Sequence, residues 1–145
     1  INAETVAKEL GIDVSVNYST SESNYSNLIA AKVISENENI FEGSVFNDNL
    51  PRLVNLMGYK MEVNLNGTLL FIKNDDVPGV IGKVGSLLGE NKINIGAYLL
   101  SQNSEKSLAF AVIRLDSPIT QELISRLQEI EEVKFVNQIV IDALY

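Results

Sequence analysis

Apolar and polar positions alternate along most of this chain, and in three stretches the apolar spacing lengthens to three and four. Residues 3–10 are the first of these: Val6 and Leu10 stand four apart ahead of Gly11, which predicts a short helix with a glycine stop. Ile12, Val14, Val16 and Tyr18 alternate and predict a strand over 12–18, while apolar runs predict strands within 25–34 and 40–46. Polar stretches at 19–24 and 36–39 separate them as loops. Residues 50–56 and 59–63 read as a hairpin hinged at Met57-Gly58, so residues 1–66 are expected to be mostly β.

From the turn signal Asn66-Gly67 onward the pattern is cleaner. It predicts strands at 68–73, 93–101, 108–115 and 133–141, with helices at 78–91 and 119–130. Ser117-Pro118 opens the second helix, whose Ile119, Leu123, Ile124, Leu127 and Ile130 fall on one face. The order β-α-β-β-α-β over residues 67–145 is that of a ferredoxin-like split βαβ domain. The expected class is α+β, with a mostly β portion at 1–66 followed by the ferredoxin-like domain at 67–145. Strands 68–73 and 108–115 are apolar on both faces. With both helices on one side of the sheet, its other face needs a cover, either a second copy or the N-terminal portion.

Composition removes whole classes of chemistry. The 145 residues include no His, Cys or Trp, which excludes Ser-His-Asp triads, Cys-His dyads, zinc fingers and disulfides, and no metal site is expected. Eleven basic against nineteen acidic residues give a net charge of −8, and the basic residues do not cluster. Neither nucleic acid nor an anionic membrane is therefore an expected partner. No apolar run approaches the roughly 20 residues of a membrane-spanning helix, and no signal-peptide pattern opens the chain, so a soluble, cytoplasmic protein is expected. The start at Ile1 points to an excised piece of something longer.

The stretch 73–85, Lys-Asn-Asp-Asp-Val-Pro-Gly-Val-Ile-Gly-Lys-Val-Gly, ends a strand and opens a helix. Its G-x-x-G-x-x-G spacing is not that of a dinucleotide loop, two carboxylates stand where a phosphate would sit, and no Walker A sequence is present. On the predicted helix the apolar positions 80, 81, 84, 87 and 88 form one stripe, and Gly82, Gly85 and Gly89 face away from it. Three outward glycines call for close approach of the rest of the chain, of a second subunit or of a ligand.

Of Asp75 and Asp76, one is expected to cap the helix. The pair also allows a sharper reading. Free N–H groups around Gly79 and Gly82 attract a carboxylate while a neighbouring Asp attracts an ammonium, and those are the two ends of a free amino acid. Asn94 can both donate and accept. Alternation sets it with Gly96 and Tyr98, opposite Ile93, Ile95, Ala97 and Leu99. A solvated Asn94 stays open as the alternative.

The segment 67–85, followed by Ile93-Asn94-Ile95, resembles an ACT domain of the kind that ends D-3-phosphoglycerate dehydrogenases. Asn2-Ala3 through Gly11-Ile12, Tyr25 to Leu28, and Pro51 to Val54 with Gly58-Tyr59 resemble the intervening, or allosteric substrate-binding, domain that precedes it in the long form of that enzyme. By that resemblance the intervening domain is expected to lack its beginning here, and the catalytic domains to be absent. The resemblance implies a parent that oxidises 3-phosphoglycerate with NAD in the first committed step of serine synthesis, and that is inhibited by L-serine bound between ACT domains. It implies a non-catalytic chain holding no NAD of its own, self-associating through the ACT domain, and working with the parent's catalytic domains. By motif position the effector contacts fall on Asn74, Asp76 and Asn94, with Gly79 and Gly82 at the helix start; some relatives carry an aromatic residue or His at the position of Asn74. In relatives the intervening domain binds an anion through basic side chains, which points to Arg52 and Lys60, whereas Asn64 stands where a second basic residue occurs.

Three other roles compete with the serine-sensing one. The regulatory part of iron–sulfur L-serine dehydratase has similar paired domains. A non-sensing dimerisation module needs no amino acid. A small ferredoxin-like hydrolase needs a catalytic pair that the sequence does not offer.

Overall fold

The computed structural model describes residues 2–20, 24–103, 105 and 107–142, so the ends of both expected domains and part of the 19–24 loop lie outside the described residues. Among the described residues eight strands form two antiparallel sheets, accompanied by three helices, an α+β arrangement. The first sheet has the order β1 (Ile29–Ile34), β2 (Glu38–Val45), β3 (Pro51–Leu56), β4 (Tyr59–Asn64). The second runs β6 (Ile95–Asn103), β7 (Leu108–Leu115), β5 (Gly67–Asp75), β8 (Val133–Ile141), with α2 (Val80–Glu90) between β5 and β6 and α3 (Gln121–Gln128) between β7 and β8.

The N-terminal portion departs most from expectation. Helix α1 (Ala3–Glu9) forms and Gly11 ends it at φ +71°, but it buries no residue. The expected strand over 12–18 is absent, and Ile12, Val14, Val16 and Tyr18 are all exposed. Alternation supplies a face but not a partner, and a strand without a neighbouring ladder has no stability of its own. The strand expected within 25–34 shrinks to β1, an edge strand with all six residues exposed.

The hairpin closes as expected. Met57 (φ 52°) and Gly58 (φ 90°) are both left-handed, the geometry of a two-residue turn that matches strand twist. An L side chain at such a φ costs about 1–2 kcal/mol. Gly58→Ala is expected to lower unfolding free energy by about that amount, measured by urea denaturation.

Strands β5 and β7 are buried on both faces, and the two faces belong to different cores. Leu70, Ile72, Ala111 and Ile113 pack under α2 and α3 with Val84, Leu88, Leu123 and Leu127. Leu69, Phe71, Phe110 and Val112 pack against Leu56, Tyr59, Met61 and Val63 of the first sheet. The required cover is therefore the N-terminal portion. Tyr59 and Phe110 meet across this seam with ring centroids 5.4 Å apart.

Two local details differ from simple periodicity. A register shift between Ile95 and Ala97 breaks the alternation of β6, so Tyr98 joins Ile93 and Ile95 on the helix side. Ile81, expected in the buried stripe of α2, is 51% exposed.

Candidate functional site

Strand β5 ends at Asp75 and α2 begins at Val80, and the turn between them carries most of the chemistry. Neither aspartate caps the helix: Gly79 occupies the N-cap at φ 97°, with no side-chain cap hydrogen bond. The first N–H groups of an α-helix have no intrahelical partner, so this end presents donors and a positive dipole end. The conformation of Gly79 requires glycine. A Cβ at Gly82, Gly85 or Gly89 would meet nothing within 4 Å, so packing of the described chain does not account for these three.

The carboxylates around the turn are held differently. Asp75 pairs with Lys134 at 2.8 Å, and Glu132 pairs with Lys83 of α2. Asp76 is held by a neutral group: the Gln102 amide Nε2 stands 2.9 and 3.0 Å from its two carboxylate oxygens. No cation among the described residues pairs with Asp76. Beside it Asn74 is buried, 4% exposed, and its Nδ2 donates to the Asp75 carbonyl at 2.7 Å. Its Oδ1 is a buried acceptor without a partner.

The Lys83 hydrogen bond, helped by a backbone hydrogen bond and the charge of Lys83 and Lys134, holds the Glu132 carboxyl below its ordinary range. A carboxyl depressed in the folded state contributes stability above its unfolded pKa and loses it as pH falls through the folded value. Lys83→Met is therefore expected to flatten the acid side of the stability profile, read from urea midpoints between about pH 6 and pH 3.

Asn94 lies elsewhere. It precedes β6, donates its backbone N–H to the Asp116 carboxylate, accepts the Asp116 backbone N–H at its carbonyl, and is exposed. The ladders set Asn74 opposite Ala109 and Ile95 opposite Leu115, so the two asparagines stand at opposite ends of the sheet. Six residues of strand separate them by about 20 Å. One copy thus brings together Asn74, Asp76, Gly79 and Gly82, and does not bring Asn94 to them.

Arg52 is engaged on three sides. It pairs with Asp48, donates to Asn64 Oδ1 at 2.8 Å, and lies 4.3 Å over the Phe46 ring. Asp48 is held below its ordinary range, first by a hydrogen bond from the Leu50 backbone and then by Arg52. Lys60 stands four residues along β4 from the Arg52–Asn64 pair, about 13 Å away, with Glu62 between.

Sequence reasoning missed two residues here. Gln102 reaches Asp76 only because β6 and β5 flank β7 in register, Gln102 and Asn74 both opposing Ala109. Arg114, on β7, lines a cavity of about 230 Å³ at the seam with Asn64, Glu62 and Ala97. Its side chain passes close to Gly96, where a Cβ would stand in ordinary van der Waals contact with it at 3.5 Å. No simple periodicity identifies either residue; the strand register does.

Residues 1–57 match the D-3-phosphoglycerate dehydrogenase intervening domain. D-3-phosphoglycerate dehydrogenase of Bacillus subtilis (strain 168) is 30% identical over 140 residues, 96% of this chain and 27% of the relative. The enzyme of the same name from Methanocaldococcus jannaschii is 32% identical over 137 residues, 94% of this chain and 26% of the relative. Over almost its whole length this chain is similar to a part of D-3-phosphoglycerate dehydrogenases. It spans about a quarter of the length of those relatives. The intervening-domain match runs from α1 through β3 and ends in the hairpin turn at Met57, while the relatives' similarity continues through the second sheet. The glycine turn before α2 does not have the form of a dinucleotide loop: it carries Asp75 and Asp76, and it leads from an antiparallel rather than a parallel strand. Among the described residues no helix is long and apolar enough to cross a membrane.

Proposed function

We propose that this chain is the effector-sensing part of an NAD-dependent D-3-phosphoglycerate dehydrogenase, an oxidoreductase of serine synthesis, and that it binds L-serine for feedback inhibition without catalysing the reaction itself. NAD and the catalytic groups belong to other domains of the parent. In this reading residues 67–145 act as an ACT domain of ferredoxin-like arrangement. The strand order β6-β7-β5-β8, with a helix in each β-α-β step, supports that assignment.

The observation that carries the reading is the pairing, at the start of α2, of free backbone donors with a carboxylate held by a neutral amide. The donors suit the carboxylate of an α-amino acid, and Asp76 suits its ammonium. The unpartnered Asn74 Oδ1 supplies a further acceptor, for the ammonium or the serine hydroxyl.

Asn94 enters the site from a second copy. β6 is an edge strand, and antiparallel pairing of two β6 edges about a two-fold axis would set Asn94 of one copy beside Gln102 of the other. L-serine bound across that junction favours the paired arrangement by its differential affinity, and the parent enzyme responds through it.

The intervening-domain match and the similarity to D-3-phosphoglycerate dehydrogenases favour the dehydrogenase over iron–sulfur L-serine dehydratase as the parent. An anion at the seam would meet Arg114 and Asn64, because Arg52 already holds Asp48 and Arg114 pairs with no carboxylate among the described residues. The test is calorimetric titration with L-serine, with glycine and D-serine as controls and the oligomeric state recorded in the same buffer. Saturable uptake selective for L-serine is expected. A well-folded dimer that takes up none would contradict serine sensing and leave an assembly role or a different effector.

A further inference from the structure

The geometry points to Gln102 as the residue that positions Asp76 for a cationic group while leaving its charge unspent. This inference rests on the amino-acid-binding reading and specifies how its ammonium subsite is built.

Three observations carry it. Gln102 comes from β6, two strands away, and its amide nitrogen spans both Asp76 oxygens at 2.9 and 3.0 Å. A carboxylate gripped through both oxygens has one orientation, and its outer lone pairs remain open. The donor is also neutral. Asp75 and Glu132 are each matched by a lysine, so their charges are spent within the chain, whereas Asp76 is fixed by a group that adds no positive charge. A lysine at position 102 would satisfy the same oxygens and supply the charge that a ligand ammonium otherwise brings. Finally, the same strand is preceded by Asn94, so the element that orients Asp76 in its own copy is the one expected to enter the partner's site.

Gln102 is exposed, so its substitution should leave the fold intact and register in binding. Gln102→Leu is expected to weaken L-serine binding by roughly 3–10-fold, less than the loss of Asp76 itself, because the carboxylate stays in place but is no longer oriented. Gln102→Lys is expected to weaken it further, by more than about 10-fold, while leaving the urea midpoint unchanged or higher. A merely structural role predicts the reverse for Gln102→Lys, since the new ion pair would hold the loop as well or better.

Wild-type affinity in Gln102→Lys would overturn the proposal. Should the wild-type chain take up no α-amino acid, the sensing reading fails, and the Gln102–Asp76 contact is still tested in the ligand-free protein. The Gln102 side-chain amide resonances are expected to move in Asp76→Ala, and unchanged resonances would overturn the contact.

Discussion

Phe110→Ala is expected to lower the unfolding free energy by about 3–5 kcal/mol, the largest stability effect of any single substitution considered for this chain. Phe110 is 1% exposed at the centre of the seam between the two sheets. Its removal opens a cavity bounded by Leu69 and Phe71 of its own sheet and Leu56, Tyr59 and Met61 of the other, and strips the Tyr59 ring of its aromatic neighbour. Rigid β-sheet on both sides limits how far such a cavity can collapse, which sets the cost toward the upper end. Leu70→Ala, on the opposite face of the same sheet, should cost about 2–5 kcal/mol by the same mechanism but act under the helices. The two are separable: Phe110→Ala should also speed proteolysis in the hairpin at residues 57–58, because it loosens the docking of the first sheet, and Leu70→Ala should do so much less. Urea denaturation followed by limited proteolysis checks both parts.

Asp76→Ala is expected to weaken L-serine binding by roughly 1.5–3 kcal/mol, about 10- to 150-fold, the scale of a hydrogen bond to a charged group. The substitution removes the one carboxylate of the turn that no lysine neutralises among the described residues, so the ligand ammonium loses its counter-charge. The fold should hardly notice, because Asp76 is bonded through its side chain only to the exposed Gln102. Asp75→Ala should behave in the opposite way. It breaks the bridge to Lys134 and leaves the ammonium subsite in place. Calorimetric titration of both variants beside wild type separates them, and equal losses of affinity would mean that general negative charge rather than Asp76 recruits the ligand.

Much of the second sheet was legible in the sequence because its signals agree at every level. Strands at 108–115 and 133–141 form with the expected bounds, and the helix expected at 119–130 forms as α3 with Thr120 capping through Leu123 N–H at 3.3 Å. Apolar residues on both faces of β5 and β7 called for a cover, a second copy or the N-terminal portion, and the first sheet supplies it. What was not legible depends on partners and register. The alternation at 12–18 could not reveal that no strand edge receives it. Local preference favoured an aspartate cap before α2, but the left-handed backbone at Gly79 places the N-cap there instead. A one-residue shift at Gly96 reversed the faces of β6, and only the full ladder shows that Gln102 reaches Asp76 while Asn94 lies at the far end of the sheet.

That last separation makes the central claim directly testable, since a site shared between two copies can be rebuilt from two broken ones. Asp76→Ala and Asn94→Ala are each titrated with L-serine, then mixed in equal amounts, allowed to exchange subunits and titrated again. In a two-fold dimer each hetero-pair regains one intact site, from Asp76 of one copy and Asn94 of the other. The mixture should recover about a quarter of the wild-type number of high-affinity sites, although neither variant alone has any. Subunit exchange with no recovered sites would contradict the account, because it would mean that Asp76 and Asn94 do not meet across the interface.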